Sequence, residues 1–141
     1  MNELPDDIYA QIQSLSERGN IAMDAGQPEE AIGYWQEALK LLPQPEAQWD
    51  AALWLHASIG DAQRALGDLP AALSSFRQAE KSADGYAHPF VQIGLGSTLY
   101  DLDEKEAATE HLLRAYMMEG ADIFQPDGAV YLQHLKGQGL I

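Results

Sequence analysis

Three glycines set the terms for how this chain can fold. Gly19 is followed by Ala31 twelve residues on and Ala38 nineteen on; Gly60 is followed by Ala72 and Ala79, and Gly96 by Ala108 and Ala115, at the same intervals. A spacing of small residues that returns three times marks one structural unit used three times. Each copy reads as two helices joined by a tight turn: Ala25-Gly26-Gln27-Pro28, then Leu66-Gly67-Asp68-Leu69-Pro70, then Asp101-Leu102-Asp103. Gly26 and Gly67 suit the left-handed residue that ends a helix, and Pro28 and Pro70 suit the opening turn of the next. A glycine or alanine where two helices cross lets the backbones approach while larger side chains fill the flanks. Those larger residues are Leu15, Tyr34, Trp35 and Leu39 in the first copy, Leu73 and Phe76 in the second, and Leu95, Leu99 and Leu112 in the third.

These residues resemble the tetratricopeptide repeat (TPR) family, whose 34-residue motif has Leu-Gly in its first helix and Glu-Ala, an aromatic, Ala-Leu and Pro in and after its second. The first copy, about 12–45, carries Gly19, Gly26, Glu30-Ala31, Trp35, Ala38-Leu39 and Pro43 at family positions. The second, about 53–86, carries Ile59-Gly60, Gly67, Ala72, Phe76 and Ala79, and the third, about 89–122, carries Leu95-Gly96, Ala108, Leu112 and Ala115. The family's early tryptophan is replaced by Leu15, His56 and Gln92, and the third turn has Asp103 for glycine. The resemblance implies an all-α, TPR-like α-solenoid of three helix-turn-helix repeats in a single domain over 1–141. A capping tail over 123–141 closes it.

Helices are expected from about Pro5 to Asp24, Pro28 to Leu42, Pro45 to Leu66, Pro70 to Ala83, Pro89 to Asp101, Glu104 to Glu119 and Ala129 to Lys136. Pro5 with Asp6 and Asp7 matches the preference for proline and acids at a helix start. From Gly19 to Gly60 is 41 residues, seven beyond the family period. Seven residues are close to two helical turns, so the insertion is expected to lengthen the third helix and place Trp49 in the extension, over the first repeat. Gly120-Ala121-Asp122 breaks the sixth helix. A solenoid needs a last element over the exposed apolar face of its final repeat, and Phe124, Val130, Tyr131 and Leu135 suit the tail for that.

The chemistry of sites is thin. There are 4 histidines and no cysteine, and His56, His88, His111 and His134 form no His-x-x-x-His or Glu-x-x-His pair that would place two ligands on one helix face. The serines sit in no nucleophile elbow, and there is no phosphate-cradling glycine loop; Gly94-Leu95-Gly96 falls mid-helix and serves close packing. We therefore expect no enzyme activity, no cofactor and no metal. The net charge is −14, from 22 acidic and 8 basic residues. Nucleic-acid binding depends on cationic contacts and counterion release, so it is not expected. With no apolar span of membrane length and no leader, the expected location is cytoplasmic.

What remains is binding to another protein. The resemblance implies inward positions in the first helix of each repeat: Gln13, Ser16, Asn20, Met23 and Asp24; then Trp54, Ala57, Asp61, Arg64 and Ala65; then Phe90, Ile93, Ser97, Tyr100 and Asp101. The first set is mostly polar, and Trp54, Phe90 and Tyr100 supply aromatic anchors of the kind found in binding hot spots. Three acids and one base complete the wall. TPR co-chaperones that clamp acidic chaperone tails use Lys, Asn and Arg at inward positions; here Asn20 matches one, but Ser16, Ser58, Phe90 and Gly94 occupy the others, and Asp24, Asp61 and Asp101 would repel an acidic peptide. A basic protein partner is expected instead. The chain also resembles, through its repeats, its acidity and the run from Leu112 to Phe124, small bacterial TPR immunity proteins, which implies an inhibitor of a basic toxin. The alternative is a scaffold or chaperone that holds a peptide or helix in the groove.

Overall fold

In the computed structural model, which describes residues 3–141, each of the three sequence copies is a helical hairpin. The elements are α1 (Asp6–Asp24) with α2 (Pro28–Lys40), α3 (Asp50–Ala65) with α4 (Leu69–Glu80), and α5 (Pro89–Asp101) with α6 (Lys105–Glu119), followed by α7 (Ala129–Gly137). Each hairpin turns by the same hydrogen bonds. Gly26, Gly67 and Asp103 stand at φ 76°, 80° and 69°. Their amides bond back to Met23, Arg64 and Tyr100, and the next amides, of Gln27, Asp68 and Glu104, reach Ala22, Gln63 and Leu99, each at 2.9 Å. This double closure satisfies carbonyls that a helix end would otherwise leave bare. Asp103 makes the same closure without glycine, aspartate being among the residues that tolerate the left-handed region.

The ruler glycines lie at equivalent crossings. A Cβ on Gly19 would fall inside the indole of Trp35, on Gly60 it would lie 2.9 Å from the ring of Phe76, and on Gly96 2.6 Å from Leu112. Each large residue stands sixteen positions after its glycine, so the second helix of every hairpin drops a knob into the gap that the first leaves open. Phe76 is gripped twice, since a Cβ on Gly94 of the next hairpin would also strike its ring. Ala31, Ala38, Ala72, Ala79, Ala108 and Ala115 are fully buried where larger side chains would force the helices apart.

The insertion between the first two hairpins does not lengthen α3. Glu46–Gln48 form a 3-10 turn, Trp49 is extended (φ −95°, ψ 138°), and the helix begins only at Asp50. The reason is local: the Trp49 indole turns toward the first core and donates to the Pro43 carbonyl at 2.8 Å. The resulting hook is pinned to α3 by His56 Nε2, 3.0 Å from Glu46 Oε1, and to the loop after α4 by the Ala83 amide, 2.7 Å from the Ala47 carbonyl. The loop after α4 starts earlier than expected, because Ala83 takes a left-handed φ of 44°. The break after α6 is a 3-10 turn over Gly120–Phe124.

Phe124, Tyr131 and Leu135 bury themselves against the third core with Leu99, Ala108 and Leu112. Val130, expected to join them, is 49% exposed. Beside Phe76, the junction between the second and third hairpins carries a polar network. Gln92, where the family has tryptophan, is fully buried and donates to Glu80 (2.8 Å) and the Tyr86 carbonyl (3.0 Å). Its own carbonyl oxygen lies 2.6 Å from His111 Nδ1 and accepts from Arg114 (2.8 Å).

Desolvation pushes the His111 pKa down; Glu80 and Glu110 pull the other way, while Arg114 and Arg77 add to the depression. A histidine whose folded pKa is lowered stabilises the fold fully above its unfolded value of about 6.5, and that contribution is lost as the pH falls through and below it. The urea midpoint of the wild type is therefore expected to fall between pH 7.5 and 5.5 by more than that of His111→Gln. Parallel curves for the two proteins would show that His111 contributes nothing to the pH dependence.

Candidate functional site

The face made by α1, α3 and α5 carries the polar and aromatic residues that the hairpin cores do not consume. Asn20, Met23 and Asp24 from α1, Ser58 and Asp61 from α3 and Phe90 from α5 line one continuous hollow. Ser16, Asn20, Trp54 and Ser58 line the next. Trp54 and Phe90 are 50% and 37% exposed, with ring centroids 6.3 Å apart and planes 27° from parallel, and His88 meets the Trp54 ring edge-on at 4.6 Å. Two exposed aromatic faces in contact on an otherwise polar wall form a concentrated apolar surface of the sort that anchors a partner.

The other inward residues are placed differently. Gln13 is exposed and donates to the Tyr9 hydroxyl at 2.9 Å, outside these hollows. Ala57 is fully buried, Ala65 is exposed, and Ser97 is nearly buried with its hydroxyl donating to the Ile93 carbonyl of its own helix at 2.7 Å. Tyr100 is half-buried, its ring meeting Tyr131 at 5.4 Å and His134 at 5.2 Å, with the Lys105 ammonium 5.0 Å from its centroid.

Arg64, the one base among the inward positions, is spent within the molecule. Its guanidinium donates to Thr98 Oγ1 (3.0 Å), Asp101 Oδ2 (2.8 Å) and the Tyr131 hydroxyl (3.1 Å), and that hydroxyl donates to the Asp101 carboxylate at 2.9 Å. Desolvation works against the guanidinium, but its hydrogen bonds to Asp101 and Tyr131 and their charges outweigh it and hold its pKa above the ordinary value. The same enclosure raises the Tyr131 pKa, first by desolvation and then through Asp101, with Arg64 opposing. Asp61 is the counterpart without a partner of its own: desolvation in the groove raises its pKa, and the nearby charge of Arg64 offsets only part of that.

Tyr131 was not among the inward residues read from the sequence, although it stands 34 residues after Ser97, one family period. That interval places α7 as a further first helix whose groove-facing residue closes the clamp. Ser58, one of the inward clamp positions, lines the first two hollows, whereas the segment Ile123–Gly128, which rims a third hollow with Asp61, Phe90 and Ile93, carries no such signal. No helix among the described residues is long and apolar enough to cross a membrane.

Paired helices stacked in register, with the first of each pair facing a shared groove, define an α-solenoid repeat protein. The family profile of the tetratricopeptide repeat matches residues 10–85, and a second profile of the same description matches 57–126. The chain belongs to the tetratricopeptide repeat family. Among curated proteins no match was found. Of solved structures, the first TPR of Spaghetti (RPAP3) bound to the HSP90 peptide SRMEEVD is similar with a TM-score of 0.72 and 17% identity, over 93% of this chain and 96% of that one. The crystal structure of MamA is similar with a TM-score of 0.70 and 18% identity, over 92% of this chain and 69% of that one. At these identities the likeness is one of fold.

Proposed function

We propose that this protein is a non-enzymatic binding module that holds a basic, amphipathic segment of a partner protein along the groove of α1, α3 and α5. The observation that carries this reading is the charge balance of the wall. Arg64 is ion-paired with Asp101, so Asp24 and Asp61 face the groove with no ion-pair partner among the described residues, beside the exposed Trp54 and Phe90. A segment that brings cations to the carboxylates and apolar side chains to the rings satisfies both. The similar domain of Spaghetti holds SRMEEVD, a peptide with three acids; the wall described here has the opposite preference. Masking of a basic toxin, the inhibitor role implied by the sequence, is the special case in which the bound segment is the partner's active surface. The scaffold role needs only the groove, and the geometry favours it.

Fluorescence anisotropy with labelled heptapeptides tests this. Peptides alternating Arg or Lys with Leu or Trp are expected to bind, with affinity falling as salt rises from 50 to 300 mM, while SRMEEVD is expected not to bind. Trp54→Ala should weaken the basic peptides by at least about tenfold and move the thermal midpoint by no more than a few degrees. Equal affinity for acidic and basic peptides, or an indifferent Trp54→Ala, would refute the proposal.

A further inference from the structure

The third hollow of the groove is bordered by the helical wall on one side and by the segment before α7 on the other. On one side stand Asp61, Phe90 and Ile93; on the other Ile123, Pro126 and Asp127 lean over from the segment between α6 and α7. Its volume of about 390 Å³ lies at the low end for small-molecule pockets, a size suited to one long side chain and its backbone. Building on the groove reading above, we propose that this hollow is a subsite for a single arginine or lysine side chain of the bound segment. The stem packs along Phe90, Ile93, Ile123 and Pro126, and the cation reaches Asp61 with Asp127 at the rim.

Two features of the lining favour this occupant over the others. Arg64 also borders the hollow, but its charge is paired with Asp101 and three of its N–H groups bond Thr98, Asp101 and Tyr131, so an acidic side chain would meet a cation already paired. Asp61 is in the opposite condition: it borders the hollow at an exposed position, has no hydrogen-bonded or ion-pair partner among the described residues, and feels the Arg64 charge only through space. A purely apolar side chain would strip the remaining water from that carboxylate and give nothing back, a cost that a matching cation removes. The apolar stem and charged tip of Lys or Arg fit a site whose wall is aromatic and aliphatic and whose end is anionic.

The test uses two labelled heptapeptides of the basic amphipathic kind that differ only in one arginine or citrulline, the uncharged isostere. They are titrated against wild type, Asp61→Asn, Asp127→Asn, Trp54→Ala and the outer-face control Glu37→Gln, with thermal midpoints measured alongside. The wild type and the control are expected to prefer arginine by about tenfold, the worth of one charge-assisted hydrogen bond. The preference should fall to within about twofold in Asp61→Asn and to an intermediate value in Asp127→Asn. If it persists in both variants while Trp54→Ala still weakens binding, the cation is received elsewhere and this subsite is wrong, with the groove reading intact. If neither peptide binds, both readings fall.

Discussion

Phe76→Ala is expected to lower the stability of the fold by about 3–5 kcal/mol, the largest loss from any single truncation in the array. Phe76 is 1% exposed and sits between two backbones that come close only because Gly60 and Gly94 have no side chain. Two consequences add. The transfer energy of a whole benzyl group is lost, and a cavity opens between α3 and α5 that glycine-lined helices have no atoms to fill. The ring joins two hairpins, so its removal uncouples the second from the third as well as loosening the second. Urea denaturation followed by far-ultraviolet circular dichroism measures this. A loss under about 1 kcal/mol would mean that the helices close over the gap, and hence that the spacing is not set by the knob.

The next largest effect is expected at the clamp. Arg64→Ala should cost about 2 kcal/mol, below the 3–5 kcal/mol typical of a fully buried pair because the two side chains remain 22% and 30% exposed. Tyr131→Phe, which removes the hydroxyl shared by Arg64 and Asp101, should cost about 1 kcal/mol. Because both substitutions break one network, the double variant should lose clearly less than the sum. Hydrogen exchange should show the protection of α7 falling first, since Tyr131 ties this helix to α3 and α5. Strictly additive losses, with α7 unaffected, would show that the three groups are neighbours without being coupled.

Sequence reading reached what repeats and missed what happens once. Gly19, Gly60 and Gly96 announce their crossings because the constraint is local: one small residue, one large residue sixteen places on, one turn. The hook at Trp49 was beyond reach because Pro43 and Pro45 signal a break and say nothing of the conformation that follows it. Arg64 and Asp101 were both placed on the inner wall, but their pairing depends on how far α3 and α5 stand apart, which no spacing encodes. Gln92 was recorded as the residue in tryptophan's place; its partners Glu80, His111 and Arg114 come from two other helices. Tyr131 did carry a signal, its 34-residue distance from Ser97, hidden by an irregular link through Gly120–Phe124.

The two junctions between hairpins are made of unlike materials. At the first, an indole and the hook lie over hydrocarbon; at the second, an apolar core around Phe76 carries a polar fringe, where Gln92 donates to Glu80 across the seam and is held from behind by His111 and Arg114 of its own hairpin. Apolar contacts respond weakly to pH, whereas a carboxylate bonded beside a histidine and an arginine responds to it. The second joint thus joins a fixed apolar centre to a polar edge, and Trp54 and Phe90 stand on helices either side of it. The separation of the two aromatic anchors, and with it the fit of whatever lies across them, is set by a joint on which no bound segment need rest.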